Sequence, residues 1–386
     1  MKYAMCTLVM LGDSYGPGAI VLGATFKKYN KNIETIVMIT HDVSEKLRKK
    51  LEEIYDKVLL VNYTFCSTFM SSKRIANRYV GWINYSFTKW KCLLFEEYEK
   101  ILFIDADLIV TDNVDEIFEL NTPAGIFFNM SGKNKLNPNG MIHDNYYPNN
   151  VKTGSIITKK MIVEGYKNFD SSFVADASFM LLKPSKTKYY EMIKMFRKKN
   201  YYSYPTNVKS GPDEFILTEL FGNWTNISIL YNYRWKYDEL KLKLENKKKG
   251  WNFGGIEKPW ETPRDKYEDM KIWWNYADEI KDIDTFIVPK KYIDKSIVYF
   301  YDKNKQFDID KDEWNNKGYV VTLISFEEIL PHEIYDIFNV VCKMSKVDKI
   351  KSALLLTQFK EVYLFEYDMM LIHPDLEQYK RVINQK

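Results

Sequence analysis

The first 110 residues alternate apolar runs with amphipathic stretches at a spacing that leaves few folds open. Ala4–Leu11, Ile33–Ile39, Val58–Val61 and Ile101–Ile104 read as buried strands, since each is largely apolar and closed by polar or turn-forming residues. Between them, Ala19–Tyr29 and Val43–Ile54 carry apolar residues at helical spacing, with Asp42 as N-cap of the second. Thr88–Glu97 reads as a further helix with Trp90, Leu93 and Leu94 turned inward. Strands separated by helices predict an α/β fold on a mostly parallel sheet flanked by helices. Such sheets take ligands at the carboxyl ends of their strands. Two polar features fall at such ends: the turn Gly12–Gly18, and Asp105-Ala106-Asp107.

Further along, residues 129–150 are rich in Asn, Gly and Pro and read as a surface excursion. Phe179–Leu182 reads as another buried strand, stopped by Lys183-Pro184. After a lysine-rich stretch over 240–270 a new series begins, with strands expected at Phe286–Val288, Ile297–Tyr301, Tyr319–Ile324 and Val362–Phe365. A chain of 386 residues can bury one large core and a smaller one. The expected division is therefore 1–270 as the main domain and 271–386 as a smaller α/β module. That module could bind an acceptor, mediate homodimerisation or extend the core.

With 56 basic and 52 acidic residues, a net charge of +4 argues against nucleic-acid partners or a membrane surface. Runs such as Lys247-Lys248-Lys249 fit a solvated face. Cys6, Cys66, Cys92 and Cys342 are widely spaced and form no CxxC pair, so neither a disulfide framework nor a cysteine-ligated zinc site is expected. No run reaches the ~20 apolar residues of a membrane span. These features lead to the expectation of a reduced, cytoplasmic setting. The 29 tyrosines suit a sugar cleft and a core equally well.

Chemistry concentrates on Asp105 and Asp107. Two carboxylates one residue apart converge on one ion if the strand relaxes into a turn, and hard divalent cations prefer such oxygens. Two buried carboxylates side by side repel unless a cation or a proton intervenes. Apolar residues on both sides (Ile101–Ile104 and Leu108–Val110) favour a metal over an exposed acidic loop. A cation there could neutralise a diphosphate leaving group.

The motif has ordered company. Thr7-Leu8-Val9 with Tyr15 and Gly18–Gly23 opens the chain, Thr88-Lys89 precedes the fourth strand, and Asp105-Ala106-Asp107 ends it. Pro184-Ser185, Gly211-Pro212-Asp213-Glu214 and Gly255-Ile256-Glu257-Lys258-Pro259-Trp260 follow. Together, over residues 3 to 262, these resemble the glycogenin-like enzymes of glycosyltransferase family 8, most closely the members carried by large DNA viruses. The resemblance does not extend over 271–386. It implies a GT-A fold, a UDP-sugar donor, Mn²⁺ dependence, retention of anomeric configuration, and the host cytoplasm for a viral member; tolerance of Mg²⁺ is expected instead from the departure at Asn252. It also implies that Leu8, Val9 and Tyr15 line the uridine pocket and that Lys89, assisted by Arg78, approaches the phosphates or sugar. By the same likeness Asp105, beside Ala106, touches ribose and metal, Asp107 holds the metal, and Lys258 pairs with the diphosphate. Gly255 would admit its backbone to the diphosphate, and Asp213 and Glu214 would bind sugar hydroxyls. Taken alone, Lys89 could equally be a surface lysine, Trp260 a core ring and Asp213 a helix N-cap.

Three positions depart from the family pattern. Asn252 stands where the family has a histidine metal ligand, which predicts weaker metal binding. Asp176-Ala177-Ser178 replaces an Asn-small-Gly segment, adding a carboxylate near the sugar that could accept hydrogen bonds or act as a nucleophile. Ser210 replaces an aspartate. The leading expectation is a hexosyltransferase acting on a glycan, protein or small-molecule acceptor; the alternative is a nucleotide-sugar-binding pseudoenzyme with a weakened metal site.

Overall fold

The computed structural model describes residues 2–66, 82–128, 153–168, 173–198, 211–234, 248–254, 258–264, 266–287, 295–301, 320–325, 361–366 and 369–370. Strands β1 (Tyr3–Val9), β2 (Glu34–Ile39), β3 (Lys57–Leu60) and β4 (Lys100–Ile104) run parallel in the order β3-β2-β1-β4. Helices α1 (Gly16–Tyr29) and α2 (Glu45–Ile54) make the crossovers expected of consecutive parallel strands. The order reverses between β1 and β4, which creates the crevice where open α/β sheets bind ligands.

Beyond a short β5 (Leu108–Val110), the sheet becomes mixed. It adds β6 (Ala124–Phe128), β7 (Ile156–Ile157), β8 (Val174–Leu182) and β9 (Trp224–Asn226), for a full order β3-β2-β1-β4-β8-β6-β9-β7. Strand β8 is antiparallel to both β4 and β6, pairing Ile104 with Phe179 and Ile101 with Leu182. It is buried along all nine residues, more than twice the length expected from the Phe179–Leu182 run. Helices α3 (Lys159–Asn168), α4 (Lys186–Lys198) and α5 (Pro212–Phe221) accompany this half. A small second sheet joins β10 (Tyr233–Arg234), β11 (Gly250–Asn252) and β5, with Leu108 opposite Asn252.

Three local expectations are corrected. Residues Ile83–Leu94 form a long 3₁₀ helix rather than an α-helix over Thr88–Glu97. Within it Thr88, Lys89 and Trp90 each answer to a tertiary partner, which outweighs local helical preference. Ser44, not Asp42, caps α2: its hydroxyl accepts the Leu47 N–H, while Asp42 supports the turn after β1. Ile283–Phe286 is a 3₁₀ turn, where a strand over Phe286–Val288 was expected; residue 288 lies outside the described residues. Helix α6 (Glu268–Ala277) spans the expected 270/271 boundary, and its Trp273, Trp274 and Ala277 are buried in the same core as α1.

Farther on, β12 (Lys295–Tyr301), β13 (Val320–Ser325), β14 (Glu361–Glu366) and β15 (Met369–Met370) form a separate four-stranded sheet in the order β13-β12-β14-β15. Its three longer strands are parallel, as their continuous apolar runs predict.

Candidate active site

The chain leaves β1 through two left-handed residues, Leu11 (φ 61°) and Gly12 (φ 78°). A non-glycine residue there is costly unless its surroundings hold it. Here they do: Leu11 N donates to the Tyr63 hydroxyl (2.9 Å) and Gly12 N to Asp42 Oδ2 (3.0 Å). Tyr63 in turn donates to the same Asp42 oxygen (2.7 Å). Asp13 then accepts Ser44 N (2.8 Å), tying the turn to α2. Tyr15 follows at the mouth, its ring edge-on to Trp260 at 6.0 Å.

At the next strand end, Asp105 N donates to the Ser178 carbonyl (2.9 Å) and Phe253 N to the Asp107 carbonyl (2.9 Å). These two bonds lock the Asp105–Asp107 turn between β8 and β11. Gly18 in α1 faces the turn closely: an added Cβ would sit 2.3 Å from the Ala106 carbonyl oxygen and 2.5 Å from the Trp260 ring. Only a glycine lets the helix approach that near.

Each aspartate of the pair meets one buried lysine. Lys89 Nζ lies 3.0 and 3.3 Å from the two Asp105 oxygens, and Lys258 Nζ bonds Asp107 Oδ2 and the Phe253 carbonyl (3.3 Å). Lys258 also stands 5.3 Å from the centre of the Tyr15 ring. Burial opposes the charge on both lysines, but the neighbouring aspartates outweigh it and hold both ammonium groups above the usual lysine range. Burial raises Asp105 to about 6; Lys89 opposes that rise, and the charges of Asp107 and Asp176 add to it.

Asp213 and Glu214 belong to the first turn of α5, which is capped at Gly211, so Asp213 is not the N-cap. Asp213 Oδ2 accepts the Trp90 indole N–H (3.2 Å). Glu214 accepts Ala177 N (3.2 Å) and Gly211 N (2.8 Å). Burial, and then the charges of Asp176 and Asp213, push the Glu214 carboxyl up to about 8.

The described candidate residues gather at one end of the sheet. Lys89 is buried, not a surface lysine, and Trp260 is both a core ring, against Trp273, and a tie to the first turn through its N–H on the Ser14 carbonyl (2.9 Å). Leu8 and Val9 are buried strand residues, with Val9 presenting its carbonyl to Thr40 N (3.2 Å). Asn252 Oδ1 accepts Gly254 N (2.5 Å), and its amide N–H groups go to Asn232 and Ser178. Arg78, Ser210 and Gly255 lie outside the described residues. Tyr63 and Asn232 were not singled out from the sequence, and Asp42, Trp90 and Ser178 were read only as a cap, an inward ring and part of a departing segment. Asp42 carried a signal, as a buried-strand neighbour followed by a polar turn; a lone Asn232 between tyrosines carried none.

Among the described residues no group of three or more His, Cys, Asp or Glu is arranged to hold a metal ion. Asp105 and Asp107 nevertheless suit a hard cation of the kind bound through one or two carboxylates and completed by phosphate oxygens and water. The local charge agrees: among the described residues, the carboxyls of Asp105, Asp107, Asp176 and Asp213 outnumber the ammonium groups of Lys89 and Lys258 at this end of the sheet.

Sheet order, acidic turn and lysine partners define a GT-A fold of the glycosyltransferase type. The structure of the bifunctional glycosyltransferase WbbM aligns with a TM-score of 0.50 at 14% identity, covering 74% of this chain and 51% of that one. In sequence, a mannosyltransferase family model matches residues 32–123. Human glycogenin-1 is 31% identical over 107 residues, 28% of this chain and 30% of glycogenin-1. An uncharacterized protein of Acanthamoeba polyphaga mimivirus is 25% identical over 236 residues, 60% of this chain and 72% of that protein. The chain is similar in sequence to the glycogenins and to a viral protein, and it spans about a third of the glycogenin and half of the solved structure it matches. Among the described residues no helix is long and apolar enough to cross a membrane.

Proposed function

We propose that this chain is a retaining glycosyltransferase that moves a hexose, glucose, galactose or a close relative, from a UDP-sugar to an acceptor. One observation carries the reading: two buried lysines, Lys89 and Lys258, sit on the two aspartates of an Asp-Ala-Asp turn at the ligand-binding end of the sheet. Cations and carboxylates in that alternation suit a nucleoside diphosphate bound with a divalent ion. When bound, Mn²⁺ or Mg²⁺ on Asp105 and Asp107 would supply Lewis-acid neutralisation of the departing diphosphate.

The protein's own groups supply the rest. Lys258 and Lys89 offer preorganised positive charge to the phosphates in a site from which water is largely excluded. Tyr15 offers a ring to the uridine, the backbone of Leu8 and Val9 its floor, and Ala106 a small residue beside the ribose. Arg78 and Gly255 are assigned to the phosphates on the family likeness alone. Asp213 and Glu214 accept or donate hydrogen bonds at the sugar, Glu214 as a neutral carboxyl at pH 7. Both Asp176 oxygens accept hydrogen bonds in the fold, which supports a role in orienting the sugar more than one as a nucleophile. The acceptor is a glycan, a protein or a small molecule. The resemblance to glycogenins and to a viral protein supports action in the cytoplasm, of the host if the gene is viral.

Calorimetric titration with UDP, with and without Mn²⁺, tests the reading, together with donor hydrolysis over several UDP-sugars. Binding that depends on metal, and hydrolysis that disappears in Asp107→Asn, which keeps an acceptor for Lys258, while the protein still unfolds cooperatively, are the expected results. UDP binding that is absent, or indifferent to metal, refutes it.

A further inference from the structure

Behind the acidic turn lies a closed network of four polar side chains that joins both sheets. Asp176 and Ser178 come from β8, Asn232 from the residue preceding β10, and Asn252 from β11. Asp176 and Asn252 are 2% exposed and Asn232 is fully buried. Asn232 Nδ2 donates to Asp176 Oδ2 (2.9 Å) and to Ser178 Oγ (2.9 Å), which uses both of its hydrogens. Its Oδ1 accepts Asn252 Nδ2 (2.7 Å), whose second hydrogen goes to Ser178 Oγ (3.2 Å). Asn252 is fixed in turn by Gly254 N on its Oδ1 (2.5 Å). No member can flip its amide without setting oxygen against oxygen.

The network ends on a carboxylate at the site. Asp176 Oδ1 accepts Ser178 N (2.9 Å), so both oxygens are gripped, one by the strand and one by Asn232. Its chain neighbour Ala177 is bonded to Glu214, and its charge acts on both Glu214 and Asp105. Asp176 thus stands between the two groups that flank a bound donor in the reading above. A purely structural role would be met as well by apolar side chains of similar volume, because buried polar clusters rarely add stability over good packing. A buried carboxylate that must keep its charge and direction does need such donors.

We propose that Asn232, steadied by Asn252, is a positioning residue that fixes the Asp176 carboxylate toward the donor sugar and thereby sets sugar preference. It also gives Asn252 a task in holding the site's geometry. This inference rests on the UDP-sugar reading.

The test is a double-mutant cycle on Asn232→Ala and Asp176→Asn, read as kcat and KM for hydrolysis of several UDP-sugars, with UDP affinity measured separately. Asn232→Ala is expected to lower kcat about 10- to 100-fold through misplacement of Asp176 and to change the ratio of rates between donors. UDP, which lacks the sugar, should bind within about threefold of wild type. In the Asp176→Asn background the same substitution should cost less than about threefold, because the group it positions is already lost. Asn252→Ser loosens the clamp from its far side and provides a second variant should Asn232→Ala fail to fold; it should shift donor preference in the same direction. Equal losses in both backgrounds, or a lowered melting temperature with unchanged kcat and donor ratio, overturn the proposal. A wild-type protein that binds UDP but shows none of this coupling refutes the inference alone. One that neither binds UDP nor hydrolyses any donor refutes both readings.

Discussion

Replacing Glu214 with glutamine should make the protein more stable in mild alkali and no more stable in mild acid. In the fold the Glu214 carboxyl is raised from 4.5 to about 8, first by burial and then by Asp176 and Asp213. Because the folded chain holds that proton more tightly than the unfolded one, stability falls as the pH rises between those values. The contribution is complete below about pH 4.5 and lost as the pH passes through about 8. The difference corresponds to about 5 kcal/mol for a wholly buried carboxylate. Glu214 retains some solvent contact, which brings the figure to about 2–3 kcal/mol. Glutamine keeps an acceptor for only one of the two backbone N–H groups now on the carboxyl, at a cost of about 1 kcal/mol. The net expectation for Glu214→Gln is a gain of about 1–2 kcal/mol at pH 8.5 and a loss of up to about 1 kcal/mol at pH 5. Urea unfolding of both proteins at half-unit steps from pH 5 to 8.5 measures it. Parallel curves over that range would refute the reasoning, since Glu214 would then carry no excess proton in the fold.

Two further outcomes follow from the same geometry. Lys258→Met leaves Asp107 buried without its ammonium partner and should cost about 3–5 kcal/mol in the absence of ligand; calorimetry should show UDP affinity falling with it, and Mn²⁺ added alone should restore part of the lost melting temperature by binding the freed carboxylate. Gly18→Ala puts a methyl group 2.3 Å from the Ala106 carbonyl and should cost about 2–3 kcal/mol of stability, read by thermal melting, with weakened metal binding as the acidic turn shifts.

The parallel half of the sheet was legible because each of its strands is a local apolar run and its first two crossovers are local helices, so neighbouring residues contain the information. The antiparallel half was less so. β8 takes its place between β4 and β6, and nothing near Val174 announces that register. The 3₁₀ helix at Ile83–Leu94 was misread for a related reason: its path is set by Asp105 and Asp213, which are respectively 16 residues from Lys89 and 123 from Trp90. In the site, residues with charge, or set in short motifs, could be found by their chemistry: Asp105, Asp107, Lys258 and the Asp213-Glu214 pair. Asn232, Ser178 and Tyr63 act through bonds to residues 20 to 56 positions away or more, and side chains so common carry no mark of such duties.

The Trp260 indole bonded to the Ser14 carbonyl spans 246 residues. A ribosome that has released β1 to β9 has delivered every strand of the main sheet, yet the turn after β1 still lacks its closing ring, and Asp107 its lysine. The proposed donor site is therefore completed only with the segment around 258–260, about two thirds of the way along the 386 residues. A nascent or truncated chain that ends before residue 258 would carry the strands of the main sheet without Trp260 on its first turn or Lys258 on Asp107.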